Sequence, residues 1–287
     1  MLPSRAVEIC VFKYSLGICR TDIRLFDYST IRVILATSAE DAQIILDAVA
    51  RWCEKWQISP NPDKCEVIVF SRNPQPTPAL RLLGKVLKVV ESTIYLGYKL
   101  HRSGNWLPHV ERRISKAENW DRIAVQLLGH QGGATAELAA DTRDATAEVG
   151  TLYGAEFWGT SSPNPSQDAV DKHQANIGKQ IMHVRQNTEA VGVLTELGWT
   201  TTSITAWKQR MTFWWRLGRS QSRLLDMLEW QASQSSARAS PQAPSEYNWW
   251  RVTLAEVERL EIMSGHCRAV RTCENCLKRN LQRLLSK

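Results

Sequence analysis

The sequence predicts an α+β protein in which a short sheet with one helix precedes an all-α region. Between residues 31 and 100, short apolar runs alternate with turn residues in the order strand, helix, strand, hairpin. From about residue 108 onward, apolar residues recur at helical spacing instead. The change of period therefore predicts two structurally different parts in one chain.

Composition is typical of a globular protein with a packed core. The chain has 287 residues, of which 43% are hydrophobic and 23% charged, enough for one large domain or two modest ones. The net charge of +7 is unevenly spread, because basic stretches at 81–125 and 171–287 flank an acidic stretch at 126–170. The basic stretches indicate either a polyanionic partner or solvated helix faces, and charge alone leaves both open.

The cysteines and the N-terminal residues indicate the cellular compartment in which we expect the protein. The seven cysteines are odd in number and widely spaced, which does not suggest a disulfide framework and favours a reducing compartment. Arg5, Glu8 and Lys13 interrupt every early apolar run, so no signal peptide is expected. No run approaches the about 20 apolar residues that span a bilayer. We expect an intracellular protein, in the nucleus or cytoplasm, without a membrane partner.

The elements of the first part follow from local patterns. Residues 31–36 are β-branched and apolar, which predicts a strand, and Ser38 is placed to cap a helix over 39–56. The apolar positions of that helix predict that Trp52 and Trp56 belong to the core. After a proline-containing turn at 60–63, strands are predicted over 65–70, 86–90 and 93–100.

The second part is predicted to be helical. Helices are expected over 108–128, 134–150, 166–184 and 203–217, and a Ser/Gln/Ala/Pro-rich stretch over 231–245 indicates a linker or flexible loop. In the fourth of these helices, Trp207, Arg210, Met211, Trp214 and Leu217 form one stripe, with Trp215 beside it. Base stacking would suit such a stripe. Core packing is the interpretation that we favour.

Five short motifs in one order carry a resemblance to a known family. They are Leu35-Ala36-Thr37-Ser38, Trp52-Cys53-Glu54-Lys55-Trp56, Asn61-Pro62-Asp63-Lys64, Val67-Ile68-Val69-Phe70 and Tyr95-Leu96-Gly97. Their order and spacing resemble the later palm of non-LTR (LINE-type) retrotransposon reverse transcriptases. Leu152-Tyr153-Gly154 and Glu196-Leu197-Gly198-Trp199, further on, resemble the region that follows the polymerase in such elements.

The resemblance implies a domain plan. Residues 28–105 would be an incomplete palm with a short antiparallel sheet plus a helix, and 106–230 an all-α thumb-like and post-polymerase region. Residues 1–27 stay unassigned, 231–248 would be a linker, and 249–287 a basic C-terminal helical tail. Since the earlier palm strands are missing, the sheet would have an open edge. We therefore expect residues 1–27 to supply an additional strand, or the sheet to fold poorly.

The family's catalytic hairpin is degenerate here. The resemblance places Tyr28, Ser29, Thr30 and Ile31 on a Tyr/Phe-Ala-Asp-Asp motif whose aspartates hold two Mg²⁺ ions in the intact family. A threonine hydroxyl is a poor Mg²⁺ ligand and isoleucine has no oxygen to offer. The chain is therefore expected to be a fragment or remnant of an RNA-directed DNA polymerase that is inactive by itself.

Nucleic-acid binding is the activity that such a chain could retain. By resemblance, Lys64 lies beside the former active site, and Tyr95 and Gly97 lie in the hairpin that grips the primer end. The basic residues Arg112, Arg113, Lys116 and Arg122 lie on a thumb-like helix, where they either contact phosphates of RNA, DNA or an RNA–DNA duplex or form a solvated face. For Lys64 the alternative is a simple turn lysine.

Three other possibilities complete the sequence-based hypotheses. His266, Cys267, Cys273 and Cys276 include a C-x₂-C pair that could hold zinc, or are incidental thiols in a basic helix. No other cofactor is expected. The chain could instead be a protein–protein module that docks a full-length element polymerase through the tryptophan stripe and the acidic segment. It could also be the translation of a decayed insertion without a selected function.

Overall fold

A computed structural model describes residues 7–13, 31–36, 38–57, 59–70, 79–127, 135–160 and 164–219, together with Thr253 and Glu256. The fold is mixed α+β and mostly helical, as the sequence predicts. It divides into two compact units, residues 1–109 and 110–287. Unit 1 contains the strands and the first helix, whereas unit 2 is helical.

A four-stranded sheet forms the centre of unit 1. Its strands are β1 (Val7–Lys13), β2 (Ile31–Ala36), β3 (Glu66–Phe70) and β6 (Lys88–Val89), in the order β2-β1-β3-β6. β1 is antiparallel to both β2 and β3, and β3 is parallel to β6. The expected additional strand from residues 1–27 is thus confirmed, although it is inserted between β2 and β3 and does not cover an edge.

Helix α1 (Ala39–Lys55) packs on this sheet. Its N-terminus forms because the Ser38 hydroxyl accepts a hydrogen bond from the Asp41 amide, which satisfies one of the free first-turn donors. Ala42, Leu46 and Cys53 are fully buried on its inner face, against Val67 and Leu82 of the sheet region. The predicted helix over 39–56 is therefore correct to within one residue.

Two small hairpins follow. β4 (Arg81–Leu82) and β5 (Lys85–Val86) are joined by Leu83-Gly84, and β7 (Ser92–Tyr95) and β8 (Tyr98–His101) are joined by Leu96-Gly97. Both turns have positive φ at both central residues, the backbone form that matches the twist of two-residue hairpins. The single strand expected over 93–100 is wrong, because the chain reverses at Leu96-Gly97. The strand predicted over 86–90 is likewise divided between β5 and β6.

Unit 2 begins within helix α2 (Leu107–Leu127) and continues through seven further segments. These are α3 (Ala136–Arg143), a π-helical turn (Asp144–Glu148), α4 (Val149–Thr151), α5 (Ala155–Trp158), α6 (Pro165–Ile181), α7 (Ala190–Glu196) and α8 (Thr202–Arg219). The one helix expected over 134–150 is therefore interrupted by a wider π turn. The helices predicted over 108–128, 166–184 and 203–217 are confirmed.

Helix α6 organises the helices around it. Asn164 caps its start by accepting hydrogen bonds from the Ser166 and Gln167 amides, and Pro165 fits the first position, where no amide is needed. Its Asp171 and Gln174 side chains accept the Ser203 and Thr202 amides at the start of α8, at 2.8 and 2.9 Å. Polar side chains of one helix thereby satisfy the free donors of the next.

The α8 stripe lies in the core of unit 2. Arg210, Met211, Trp214 and Leu217 are buried, as the core interpretation predicts. Arg210 is fully buried, and its Nε donates to the Thr253 hydroxyl at 2.8 Å while Nη1 donates to the Gly159 carbonyl at 3.0 Å. Thr253 and Glu256 are buried as well, so the predicted C-terminal region supplies two core residues. The linker and the rest of that tail lie outside the described residues, and the predicted domain boundaries stay predictions.

Candidate nucleic-acid interface

Most of the residues of the degenerate hairpin lie outside the part of the chain that the structure describes. Tyr28, Ser29 and Thr30 belong to that undescribed part, and Ile31 is the first residue of β2. His266, Cys267, Cys273 and Cys276, the zinc candidates, lie outside it too. Among the described residues, no group of three or more His, Cys, Asp or Glu side chains could hold a metal ion. The metal hypotheses therefore stay predictions.

Lys64, Tyr95 and Gly97 are all found in unit 1. Lys64 is exposed at the end of a 3₁₀ turn (Pro62–Lys64), in which Asp63 pairs with Lys85 at 3.5 Å. Tyr95 ends β7, and Gly97 follows in the turn with φ +85°, a conformation that favours glycine. The hairpin geometry that the resemblance implies is therefore present at these residues, while their contact with a primer stays a prediction.

The hairpin is anchored by an aromatic contact within unit 1. The Tyr98 ring stacks on the buried His109 ring with centroids 5.5 Å apart, and Trp106 meets both rings edge-on. The Lys99 amide donates to His109 Nδ1 at 3.1 Å. His109, which shows no ligand spacing in the sequence, is thus a core residue that fixes β8 at the beginning of α2.

The basic residues of α2 divide into two groups. Lys116 and Arg122 are exposed, and Arg112 is half-buried. Arg122 Nη2 donates a hydrogen bond to Asn119 Oδ1 at 2.9 Å, which uses one of the five N–H donors of the guanidinium. Exposed acids, Glu111 and Glu118, lie on the side of the helix that Arg122 shares. Arg112 and Lys116, four residues apart, are therefore the pair best separated from these acids.

Arg113 is engaged inside unit 2. Its Nε donates to the Gly150 carbonyl at 2.7 Å, and its guanidinium lies over the Tyr153 ring at 4.8 Å from the centroid. Burial lowers the pKa of Arg113, and nearby Arg112 lowers it further, while Tyr153 acts in the opposite direction. An arginine remains charged through such a shift. We conclude that Arg113 fixes α2 to the segment around Gly150, which makes it the weakest phosphate candidate of the four.

An exposed aromatic residue that was not predicted lies beside two of these cations. Trp120 is 51% exposed and follows Lys116 by four residues, so Arg112, Lys116 and Trp120 form one row along the helix. Ile123, 42% exposed, lies next to this row. We call Arg112, Lys116 and Trp120 the α2 face, which does not include Arg122. The four-residue spacing was visible in the sequence and could have identified Trp120.

The core assignment of Trp52 and Trp56 is wrong. Trp52 is 41% and Trp56 60% exposed, and Lys55 Nζ lies 5.6 Å from the centre of the Trp56 ring. The inner face of α1 is already filled by smaller residues, Ala42, Leu46 and Cys53. Because the helix follows its own period, filling that face turns the two tryptophans away from the core.

A buried charge cluster in unit 2 was also not anticipated. Arg143 and Asp121, each with a side chain only 1% exposed, face each other with Nε and Oδ1 3.6 Å apart. His173 Nε2 lies 2.8 Å from the other Asp121 oxygen. Arg143 Nη1 lies 3.3 Å from Asp144 and 3.6 Å from Glu148, and its guanidinium stacks on Trp199 at 4.8 Å. Three carboxylates thus share one arginine and one histidine.

The two partly exposed carboxylates of this cluster, Asp144 and Glu148, have raised pKa values. Burial raises both pKa values, and its effect outweighs the attraction of Arg143, which lowers both. The ion-pair distances alone would suggest the opposite direction, but both carboxylates are partly removed from water and lie next to each other. The cluster belongs to the helix packing, and it accounts for two of the acids of the 126–170 stretch.

No protein-family model, curated protein or solved structure matches the sequence. Among the described residues, no helix is long and apolar enough to cross a membrane.

Proposed function

We propose that the chain is a reverse-transcriptase-like protein that has lost polymerase activity and retains sequence-independent binding to RNA, DNA or an RNA–DNA duplex. The observation that carries the binding proposal is the α2 face, on which Lys116 and Trp120 are exposed and Arg112 is half-buried. Cations neutralise phosphates, and an exposed aromatic ring can stack on an unpaired base.

The dimensions of the α2 face suit a nucleic-acid backbone. At about 1.5 Å per residue, the row from Arg112 to Trp120 extends over about 12 Å of helix. That length corresponds to several phosphates along one strand, since neighbouring phosphates lie about 3.4 Å apart in the axial direction. Contacts of this kind add affinity without selecting a sequence.

The palm-like identity of unit 1 has separate support. An antiparallel sheet with α1 packed on it is compatible with the short sheet plus helix that the resemblance implies, although its central strand β1 lies outside residues 28–105. Lys64 and the Tyr95–Gly97 turn occupy an exposed 3₁₀ turn and a hairpin turn in the same unit. Loss of catalysis is proposed on the residue types at Thr30 and Ile31, which cannot replace two Mg²⁺-binding carboxylates.

The alternative of a docking module that uses the tryptophan stripe has less support. Trp214 is 3% exposed, and Met211 and Leu217 beside it are buried. A residue in the core cannot bind a partner without local unfolding. Docking of a full-length polymerase would need another surface.

Charge reversal on the α2 face tests the binding proposal. Purified protein is titrated with a fluorescent RNA–DNA duplex at low salt, for the wild type and for Lys116→Glu. We expect the variant to weaken binding by a factor of about five to ten, because a phosphate contact supplies electrostatic free energy that reversal turns into repulsion. No primer extension is expected from either protein with Mg²⁺.

The matched control is Lys172→Glu, which changes the net charge equally at an exposed residue elsewhere in unit 2. It should bind nearly as the wild type does. Equal losses in both variants would show that net charge, and no particular face, governs binding. Absence of wild-type binding, or primer extension by the wild type, would overturn the corresponding part of the proposal.

A further inference from the structure

The exposed tryptophan of the α2 face is placed where a nucleic-acid base can reach it. Trp120 is 51% exposed, and Ile123, three residues further on, is 42% exposed. Residues three apart are neighbours on a helix surface, so these two form one apolar area at the end of the row of Arg112 and Lys116. An indole ring beside cations is suited to more than phosphates, because the ring presents a flat apolar surface on which a base can stack.

The exposed acids of α2 lie on the side of the helix opposite Trp120. At about 100° per residue, Glu118 is about 200° and Glu111 about 180° away from Trp120 around the axis, whereas Lys116 is only about 40° away. The third acid of the helix, Asp121, is buried in the ion pair with Arg143. An anionic strand that reaches Trp120 therefore meets the lysine and avoids the carboxylates of this helix.

We propose that the α2 face binds single-stranded RNA or DNA in preference to a duplex, with one base stacked on Trp120 and the adjoining phosphates at Lys116 and Arg112. This inference rests on the nucleic-acid binding proposed above and names the form of nucleic acid that the same face takes. The bases of a single strand can turn outward and stack on an aromatic side chain. A duplex keeps its bases stacked on each other, so it offers the face phosphates alone.

The spacing of the row fits consecutive nucleotides. Along the helix axis, Lys116 lies about 6 Å from Trp120, and Arg112 lies about 6 Å further back. Neighbouring nucleotides of one strand are about 3.4 Å apart when they are stacked, and further apart when the strand is extended. A strand that follows the row therefore places a phosphate near each cation, within a few nucleotides of the base on Trp120.

Stacking on Trp120 adds to the two phosphate contacts only in the single strand. One stacked base increases affinity by roughly five- to a hundredfold. The phosphate contacts respond differently to salt, with a slope of about −0.7 per contact for a single strand and about −0.9 for a duplex. Because stacking involves no counterions, added salt should weaken duplex binding more than single-strand binding, and the preference for the single strand should increase.

Fluorescence anisotropy of the full chain tests this preference. The probes are a single strand of about ten nucleotides, as DNA and as RNA, and a duplex of about 30 base pairs, in which the ends are a small share of the sites. The wild type should bind the single strand at least about five times more tightly than the duplex. A preference limited to DNA or to RNA would assign the face to that polymer.

Two substitutions of Trp120 separate stacking from apolar contact. Trp120→Leu should abolish the preference and leave the duplex affinity unchanged, which also verifies that α2 is intact. Trp120→Phe retains a ring and should retain most of the preference. Trp56→Leu is the matched control, because Trp56 is 60% exposed in unit 1 and has Lys55 Nζ 5.6 Å from its ring centre. It should leave the preference unchanged.

The outcomes distinguish this inference from the function on which it rests. A wild type that binds the duplex as tightly as the single strand, or equal effects of Trp120→Leu and Trp56→Leu, would overturn the single-strand preference and leave phosphate binding in place. A wild type that binds neither probe would overturn the nucleic-acid function itself.

Discussion

Arg143 shows how a single side chain can organise a helical unit. It lies between Asp121 of α2, the π-turn acids Asp144 and Glu148, and Trp199. A buried guanidinium is tolerated only when carboxylates compensate the lost hydration. Three carboxylates around one arginine exceed that need. Burial is the main cause of the raised pKa values of Asp144 and Glu148, and it outweighs the attraction of Arg143.

The stability of the protein should therefore depend on pH through Asp144 and Glu148. Both pKa values lie above their ordinary values of 3.8 and 4.5 in the folded state, so the folded state binds protons more tightly than the unfolded state. This contribution to stability is complete below about pH 4 and is lost as pH rises through the raised values. Urea-unfolding midpoints measured from pH 4 to 7 should show that loss, superimposed on the other titrating groups.

Asp144→Asn/Glu148→Gln should flatten this part of the profile. The control is Glu111→Gln/Glu137→Gln, which removes two exposed acids of unit 2 and should leave the profile of the wild type. An unchanged pH dependence in the first double variant would contradict the assignment of the effect to the π-turn acids.

Among the elements, those whose ends depend on local side chains were predictable from the sequence. The start of α1 was predictable because Ser38 caps it and acids follow, and the end of α2 came within one residue of the prediction. Pairing between distant residues was not predictable. A strand from residues 1–27 was expected, but no local pattern shows that β1 would pair with β2 on one side and with β3 on the other.

The same distinction applies to the candidate site. Helical spacing shows that Arg112 and Lys116 lie in one row of α2, but it could not show that Gly150 and Tyr153 would engage Arg113. Spacing shows which residues share a face and does not show which face packs. For that reason Trp214 was correctly placed in the core while Trp52, equally apolar and equally periodic, was not.

The packing of α5 against α8 depends on one glycine. A Cβ at Gly159 would lie 2.5 Å from the backbone carbon and oxygen of Ala206, and these backbone atoms cannot move aside cheaply. Gly159→Ala should therefore destabilise the protein by about 1–3 kcal/mol, which is the usual cost of inserting extra atoms into a packed region. Gly192, inside α7, has nothing within 4 Å of the corresponding position.

Gly192→Ala is thus the control, and it should stabilise the protein by up to about 1 kcal/mol through helix propensity. Thermal unfolding of both variants measures the two effects. A Gly159→Ala variant as stable as Gly192→Ala would show that α5 and α8 do not approach each other as closely as described.

In the whole molecule, the two units differ in structure and in exposed surface. Unit 1 is built on a small sheet with α1 packed on it, and helical unit 2 exposes Lys116 and Trp120 on α2. The surface of α2 suits a polyanion. The binding that we propose there does not need metal-binding carboxylates, so it is compatible with the proposed loss of polymerase activity.

The salt dependence of duplex binding is the measurement that bears most on phosphate binding by the α2 face. Two cations of the α2 face that each neutralise a phosphate predict that log K falls with log [salt] at a slope of roughly −2, since each contact contributes about −0.9. Lys116→Glu should reduce the slope to roughly −1. A wild-type affinity that does not change with salt, or a slope unaffected by Lys116→Glu, would contradict phosphate binding by the α2 face.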